Sequence, residues 1–233
     1  MTVRDRALKA LAGQLGHPRG LFGRIVARRL NRGNRDVVAE AVDASGTGSG
    51  QIVADLGFGG GVGLGLLLDA TSPNGQVHGL DISEEMIAGA RRRYRGMVRS
   101  DRLVLHQVFG SSLPLPESSL DALITVNTVY FVAELAPLLG EVAQVLRPGA
   151  RLVIGVGDPL RMAEMPVTRH GFRLRPVDAI VTELEAAGLL PAEHRRLGLG
   201  DDAAHVLVAQ RPLFGPDQPS DSGSRTNGSE LST

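Results

Sequence analysis

Between Gln51 and Leu64 the chain reads QIVADLGFGGGVGL, with glycines at 57, 59, 60, 61, 63 and 65. The apolar stretch ending in Asp55 predicts a short strand. The glycine-dense residues after it predict a turn and then the start of a helix. Residues without a Cβ let a turn take positive φ and let its N–H groups approach a ligand closely. Two familiar phosphate cradles are excluded by counting. A dinucleotide fingerprint needs glycine at i, i+2 and i+5. From Gly57, Gly59 and Gly61 the sixth positions are Val62, Leu64 and Leu66. A P-loop needs Lys-Ser or Lys-Thr after the turn, and neither is present. The pattern that remains is D-x-G-x-G-x-G over Asp55–Gly61. Gly63 and Gly65 fall inside the expected helix, where each costs about 1 kcal/mol relative to Ala, so close packing or ligand approach must compensate.

From residue 51 onward, strand-like and helix-like segments alternate. Strands are expected at 51–56, 76–81, 103–109, 120–127, 151–156, 190–198 and 203–210. Helices are expected at 62–70, 83–95, 135–146 and 177–187. Ser83 reads as an N-cap, with Glu84 and Glu85 in the first turn, and Gly96 reads as a stop. Such alternation predicts an α/β fold with a doubly wound, mostly parallel sheet. Before it, residues 3–44 carry broken helical stripes and 45–50 (SGTGSG) read as a flexible linker. The division is therefore 1–50 as helical cap and linker, 51–211 as the main domain, and 212–233 as a tail. That tail is too poor in apolar groups to bury a core and is expected to be disordered.

Hydrophobic residues make up 42% of the 233, enough for a sizeable core. Formal net charge is zero, so no global field recruits nucleic acid. The charge is uneven, with nine basic side chains against one acid in residues 1–35. Cysteine is absent, which removes disulfides, thiolate nucleophiles and Cys-based metal sites. No apolar run reaches the length of a membrane span, and the first residues lack a secretory core. A cytoplasmic protein is expected. Lys9 is the only lysine among many arginines, which points to a GC-rich bacterial genome.

In a doubly wound sheet the ligand lies beyond the carboxyl ends of the strands, where strand order reverses. Three expected strand ends carry suitable groups: Asp55-Leu56-Gly57, Asp81 and Asn127. An acid at Asp81, about 20 residues past a glycine turn, is placed to accept from ribose hydroxyls. Four ordered motifs stand along the chain: Val53–Gly61, GLDISEEM at Gly79–Met86, LPLPESSLD at Leu113–Asp121 and LRPGA at Leu146–Ala150. Over residues 51–210 their order and spacing resemble the class I S-adenosylmethionine (SAM) methyltransferases of the ubiquinone/menaquinone-biosynthesis type. The resemblance implies a Rossmann-like seven-stranded sheet with an antiparallel last strand, and SAM as cofactor. It implies that Gly57, Phe58, Gly59 and Gly61 hold the methionine part and that Asp55 orients its amino group. Asp81 would bind the ribose, and Ile82 and Met86 would flank the adenine. Phe109 and Gly110, with Ser111, would meet the adenine edge, where many family members carry an acid instead. Asn127 would close the cofactor side.

The resemblance implies a small-molecule methyl acceptor with an O, N or C nucleophile. A sulfonium already activates the methyl, so the protein must align the nucleophile and exclude water. Candidates for a general base or acceptor contact are Tyr130, His17 and His170. His78, His106 and His205 lie within expected strands and read as packing residues. Arg91, Arg92, Arg93 and Arg95 complement a helix C-terminus. Arg24, Arg28, Arg29 and Arg32 form either a solvated face or an attractor for an anionic or membrane-associated substrate, so peripheral membrane contact through the basic N-terminal helices is a further candidate. Nucleic acid is disfavoured, because Asn127-Thr128-Val129-Tyr130 replaces the N-P-P-Y motif of adenine-N6 enzymes. A nicotinamide oxidoreductase is disfavoured by the failed fingerprint and by the lack of Tyr-x-x-x-Lys. A non-catalytic SAM-binding protein stays open. No metal site is expected.

Overall fold

Strand β1 (Ile52–Leu56) is followed by helix α2 (Val62–Ala70), β2 (Gln76–Asp81), α3 (Glu84–Arg93), the short α4 (Arg95–Arg99) and β3 (Leu103–Gln107). Next come β4 (Leu120–Val126), a 3₁₀ turn at Val129–Phe131, α5 (Leu135–Val145) and β5 (Leu146–Gly157). The chain finishes with α6 (Pro159–Glu164), a 3₁₀ turn at Pro166–Arg169, α7 (Val177–Ala186), β6 (Leu190–Leu197) and β7 (Ala204–Gln210). Helix α1 (Arg35–Ala44) precedes them all. This computed structural model describes Asp5, residues 35–198 and residues 203–213. The expectations for His17, for the Arg24–Arg32 stripe, for the rest of the cap and for the tail lie outside the described residues.

The strands form one sheet in the order β3-β2-β1-β4-β5-β7-β6. β1 pairs in parallel with both β2 and β4, so strand order reverses beside it. β7 is antiparallel to β5 and to β6, as the expected fold class requires. Alternation along each strand sends side chains to two cores. One face carries Val53, Val77, Leu103, Ile124, Val153 and Val206 against Leu64, Leu67, Met86 and Ala41. The other carries Ala54, Leu80, Leu123, Leu152 and Ile154 against Leu138, Val142, Ile180 and Leu184. Helix α5 reaches that second face with a stripe of Leu135, Leu138, Leu139, Val142 and Val145, the spacing of one helical side.

Several boundaries differ from the sequence reading. The helix expected over 83–95 ends at Arg93, because Tyr94 leaves helical geometry at φ −107°, ψ 30°. Gly96 lies inside α4 rather than stopping a helix. LRPGA opens β5, with Leu146 paired to Leu120 and the extra residues of a register shift lying in β5 before Arg151 pairs with Ala122. The 45–50 segment closes as a hydrogen-bonded turn rather than an open linker. Ser45 N donates to Ala41 O at 3.1 Å, and Gly48 N donates to Gln51 Oε1 at 2.8 Å. Helix α6 and its 3₁₀ extension add to the expected elements. Asp158 starts α6 by accepting the N–H groups of Leu160 and Arg161 at 3.0 and 3.2 Å.

Two of the four motifs meet in one structural joint. The Asp121 carboxylate, at the end of LPLPESSLD, accepts Ile52 N–H at 2.8 Å and pairs with Arg147 of LRPGA. It thereby fixes the start of β1 against β4 and β5, at the end of the sheet remote from the glycine turn. Removing it strands a donor at the start of β1, which costs about 1–3 kcal/mol. Asp121→Ala should therefore lower the unfolding free energy by that amount and leave cofactor affinity in the folded protein unchanged, as equilibrium unfolding and calorimetric titration would show.

Candidate functional site

The turn after β1 takes positive φ at Gly57, Gly59 and Gly61, at 74°, 50° and 76°. Its own bonds hold its shape. Gly57 N donates to Leu80 O at 2.7 Å, and Gly61 N to Phe58 O at 2.9 Å. Gly59 N donates to Asp81 Oδ2 at 2.8 Å. The N–H groups of Phe58 and Gly60 meet no acceptor among the described residues. They lie beside the N-terminus of α2, whose dipole favours an anion. Phe58 itself turns inward and is buried, packing near Gly79 of β2.

Asp55 is 5% exposed at the end of β1, beneath this turn. No donor meets its carboxylate among the described residues. Burial, and then the charge of Asp81, push its carboxyl up to about 8. Here Gly63 finds its reason. A Cβ there would sit 2.2 Å from Asp55 Oδ2, so α2 can cross the acid only as glycine. Gly65 is explained in the same way, since a Cβ would stand 2.9 Å from the Tyr94 hydroxyl. That hydroxyl donates to Gly61 O at 2.8 Å and ties α3 to the turn. Gly57 packs so closely on Thr128 that a Cβ would overlap its Oγ1 at 2.1 Å. Thr128 and Thr125 both donate to Leu56 O, at 3.2 and 2.9 Å. Tyr94, Thr125 and Thr128 stand outside the sequence expectations. Only the Gly63 and Gly65 pattern signals that something must lie close to α2.

Asp81 ends β2 and is 6% exposed. Its Oδ1 accepts Ser83 N–H at 2.9 Å, so one carboxylate bridges the glycine turn and the start of α3. Ser83 caps that helix as expected, accepting Met86 N–H at 3.4 Å. Ile82 is half-buried and Met86 is buried. Beyond β3, Phe109 is 67% exposed and Gly110 takes φ 70°, on the same rim as Asp81. Asn127, at φ 56°, ends β4, and its N–H donates to Gly155 O at 2.8 Å. The structure thus gathers Asp55, Gly57–Gly61, Asp81, Ile82, Met86, Phe109, Gly110 and Asn127 along the carboxyl ends of β1 to β4.

The acceptor-side candidates fare differently. Tyr130 is buried, and its hydroxyl accepts Gly157 N–H at 2.6 Å. Burial raises the phenol above its ordinary range, partly offset by that N–H. The ring packs with Phe131 and Phe172 at centroid distances of 6.4 and 5.9 Å. Tyr130 therefore braces the ends of β4 and β5. His170 lies half-buried at the end of the 3₁₀ turn. The strand histidines form pairs: His78 with His106 at 3.0 Å, and His205 with both His194 at 2.8 Å and Asp158 at 3.3 Å.

The donor set suits a zwitterionic amino acid joined to a nucleoside. An ammonium would supply the partner that buried Asp55 lacks among the described residues. Open N–H groups on the turn suit a carboxylate, and the Asp81 carboxylate is an acceptor of the kind ribose hydroxyls need. SAM has these three groups.

Residues 54–154 match the family described as Methyltransferase domain. The chain is 40% identical over 129 residues to an uncharacterized 37.1 kDa protein in transposon TN4556 of Streptomyces fradiae, a match covering 54% of this chain and 35% of that one. It is 35% identical over 89 residues to a demethylmenaquinone methyltransferase of Symbiobacterium thermophilum, covering 37% and 36%. The chain thus spans about a third of the length of these relatives. Its fold superposes on a SAM-dependent methyltransferase from Aquifex aeolicus with a TM-score of 0.64 at 20% identity, covering 79% of this chain and 96% of that one.

The buried acid makes the site sensitive to pH. An ammonium paired with Asp55 would select its ionised form, whereas burial and Asp81 push the free carboxyl up to about 8. SAM affinity should therefore rise about tenfold per pH unit between pH 5.5 and 7.5, with proton release. Asp55→Asn should flatten that slope, and a flat wild-type profile by calorimetry would rule Asp55 out as the titrating group. Gly63→Ala, which drives a methyl into Asp55, should destabilise the fold by about 1–3 kcal/mol in equilibrium unfolding.

Proposed function

We propose, from the match of residues 54–154 to the Methyltransferase domain family and from the site geometry, that the chain is a class I SAM-dependent methyltransferase that transfers the methyl of SAM to an O, N or C nucleophile of a small molecule. SAM supplies the electrophilic methyl on its sulfonium. The protein's part is binding, orientation and exclusion of water. Asp55 holds the ammonium, the Phe58 and Gly60 N–H groups with the start of α2 hold the carboxylate, and Asp81 holds the ribose. Ile82, Met86 and Phe109 frame the adenine, and Asn127 closes the cofactor side.

The acceptor then occupies the space bounded by the ends of β4 and β5 and by the 158–175 segment. That segment is fastened to β4's end through main-chain carbonyls. Arg173 N donates to Tyr130 O at 2.9 Å. The Arg175 guanidinium donates to Val129 O and Val132 O at 2.7 and 2.8 Å. Tyr130, with its hydroxyl engaged by Gly157, serves as a wall of this space. His170 remains the described histidine available as a proton acceptor.

The observation that carries this reading is the buried Asp55, with no donor among the described residues, under a turn with open N–H groups and one strand away from Asp81. A methyl-transfer screen with isotopically labelled SAM across phenols, amines, carboxylates and activated carbons tests the transfer. The binding half is tested separately: Asp81→Asn should weaken SAM about 10- to 100-fold, since two hydrogen bonds to a charged acceptor are lost. Tight NADH binding with no SAM binding would overturn the assignment.

A further inference from the structure

The net charge of zero conceals a separation of charge along the chain. Residues 1–35 carry nine basic side chains to one acid, and residues 159–175 carry four arginines to one glutamate. The rest of the chain bears the balancing negative charge. The structure brings the ends of both cationic segments to one edge of the sheet. Val37 of α1 stands against Gly155, where a Cβ would lie 3.0 Å from it, while the Ala44 carbonyl accepts from Arg151 at 3.1 Å. Helix α1 therefore runs antiparallel to β5. Its first residue, Arg35, lies level with the strands' carboxyl ends, the rim at which 159–175 begins.

The 159–175 segment is apolar as well as cationic. Helix α6 buries none of its residues, Leu160 is 80% exposed and Met165 is 49% exposed. Most of the cations lack a carboxylate. Arg173 and Arg175 are held by carbonyl oxygens, and no carboxylate meets either among the described residues. Arg169 is exposed and meets no acceptor among the described residues. Glu164 pairs with Arg161 at 3.4 Å, and Asp158 is turned inward to the α6 N-terminus and His205. The 1–35 sequence repeats this mixture, with Leu21, Phe22, Ile25, Val26 and Leu30 among its arginines.

We propose, building on the methyltransferase reading above, that the methyl acceptor is an anionic amphiphile, with an apolar body lying on Leu160 and Met165 and a phosphate- or carboxylate-type group drawn by Arg169 and its cationic neighbours. Exposed apolar side chains interleaved with arginines match that chemistry on both counts: apolar area supplies affinity, and the field steers and orients an anion. A neutral acceptor would leave several cations with no complement at the rim. A purely polar anion would leave Leu160 and Met165 with nothing to cover them.

The test uses the full-length chain saturated with SAM. Dodecyl phosphate and dodecyl maltoside, each below its micelle concentration, are titrated calorimetrically. The phosphate should bind at least about tenfold tighter. Arg161→Glu with Arg169→Glu, both at exposed positions, should abolish that preference. Leu160→Gln with Met165→Gln should weaken both ligands about tenfold. Co-sedimentation with phosphatidylglycerol and phosphatidylcholine vesicles identifies the source: selective pelleting with phosphatidylglycerol assigns a lipid headgroup, and binding of monomeric dodecyl phosphate alone assigns a soluble amphiphile. Equal affinity for the two detergents, or affinities unmoved by the arginine variant, overturns the proposal. SAM is titrated first in the same preparation, so failure there counts against the methyltransferase reading, whereas SAM binding without anionic preference counts against this inference alone.

Discussion

Much of the cofactor side depends on one close contact, the crossing of α2 over the buried Asp55 carboxylate. An acid with so little solvent and no donor among the described residues is costly as an anion, and its carboxyl is accordingly pushed up to about 8. The fold keeps it there by removing each Cβ that would displace the neighbouring groups. Gly63 clears Asp55 itself, Gly57 clears Thr128, and Gly65 clears the Tyr94 hydroxyl. Each clearance locks another element to the turn: α2 through Gly63, the end of β4 through Thr128, and α3 through Tyr94. The turn is thus clamped from three sides before any ligand arrives. Its open N–H groups and the buried acid stand at the same strand end. A preformed site of this kind spends little binding energy on ordering the loop.

Much of this is legible in the chain. The strand order reverses beside β1 as the alternation of segments implies, and Asp81 ends β2 where the spacing put it, with its carboxylate also accepting Gly59 N–H. Both signals are local: a glycine pattern and an acid at a strand end. The illegible part depends on partners far apart in sequence. Nothing near Gly65 announces Tyr94, and nothing near Gly57 announces Thr128. Gly63 and Gly65 demand a reason on sequence grounds, because helical glycine is unfavourable, but only the packing supplies it. The partner of Tyr130 is hidden on the same ground, since nothing near it in sequence announces that Gly157 N–H occupies its hydroxyl.

A motif can also mix two kinds of constraint. LPLPESSLD and LRPGA resemble family signatures as strongly as the glycine turn does. Yet Asp121 of the first and Arg147 of the second meet each other at the end of the sheet remote from the site. Their task is to set the start of β1 relative to β4 and β5. The register of β1 decides where Asp55 emerges, since a slip of one residue would turn it to the other face. A motif at the far end of the sheet thereby stabilises the folded register of β1, and that register sets where Asp55 stands.

The two halves of the site are built on different principles, which explains why they differ in legibility. On the cofactor side, side chains and glycines are dictated by a fixed ligand shape, and the residue types carry the information. On the acceptor side, the 158–175 wall is held to β4's end largely through main-chain carbonyls, which accept from Arg173 and Arg175. Any residue offers a carbonyl, so these bonds leave no side-chain signal in the 129–133 segment. Its inward aromatic packing, Phe131 on Phe172 at 4.8 Å, asks only for apolar bulk. Specificity then rests on exposed groups such as Leu160, Met165 and Arg169, which the fold does not require. Residues that folding leaves unconstrained are those a substrate can select, so acceptor chemistry is written there in charge and apolarity rather than in a motif.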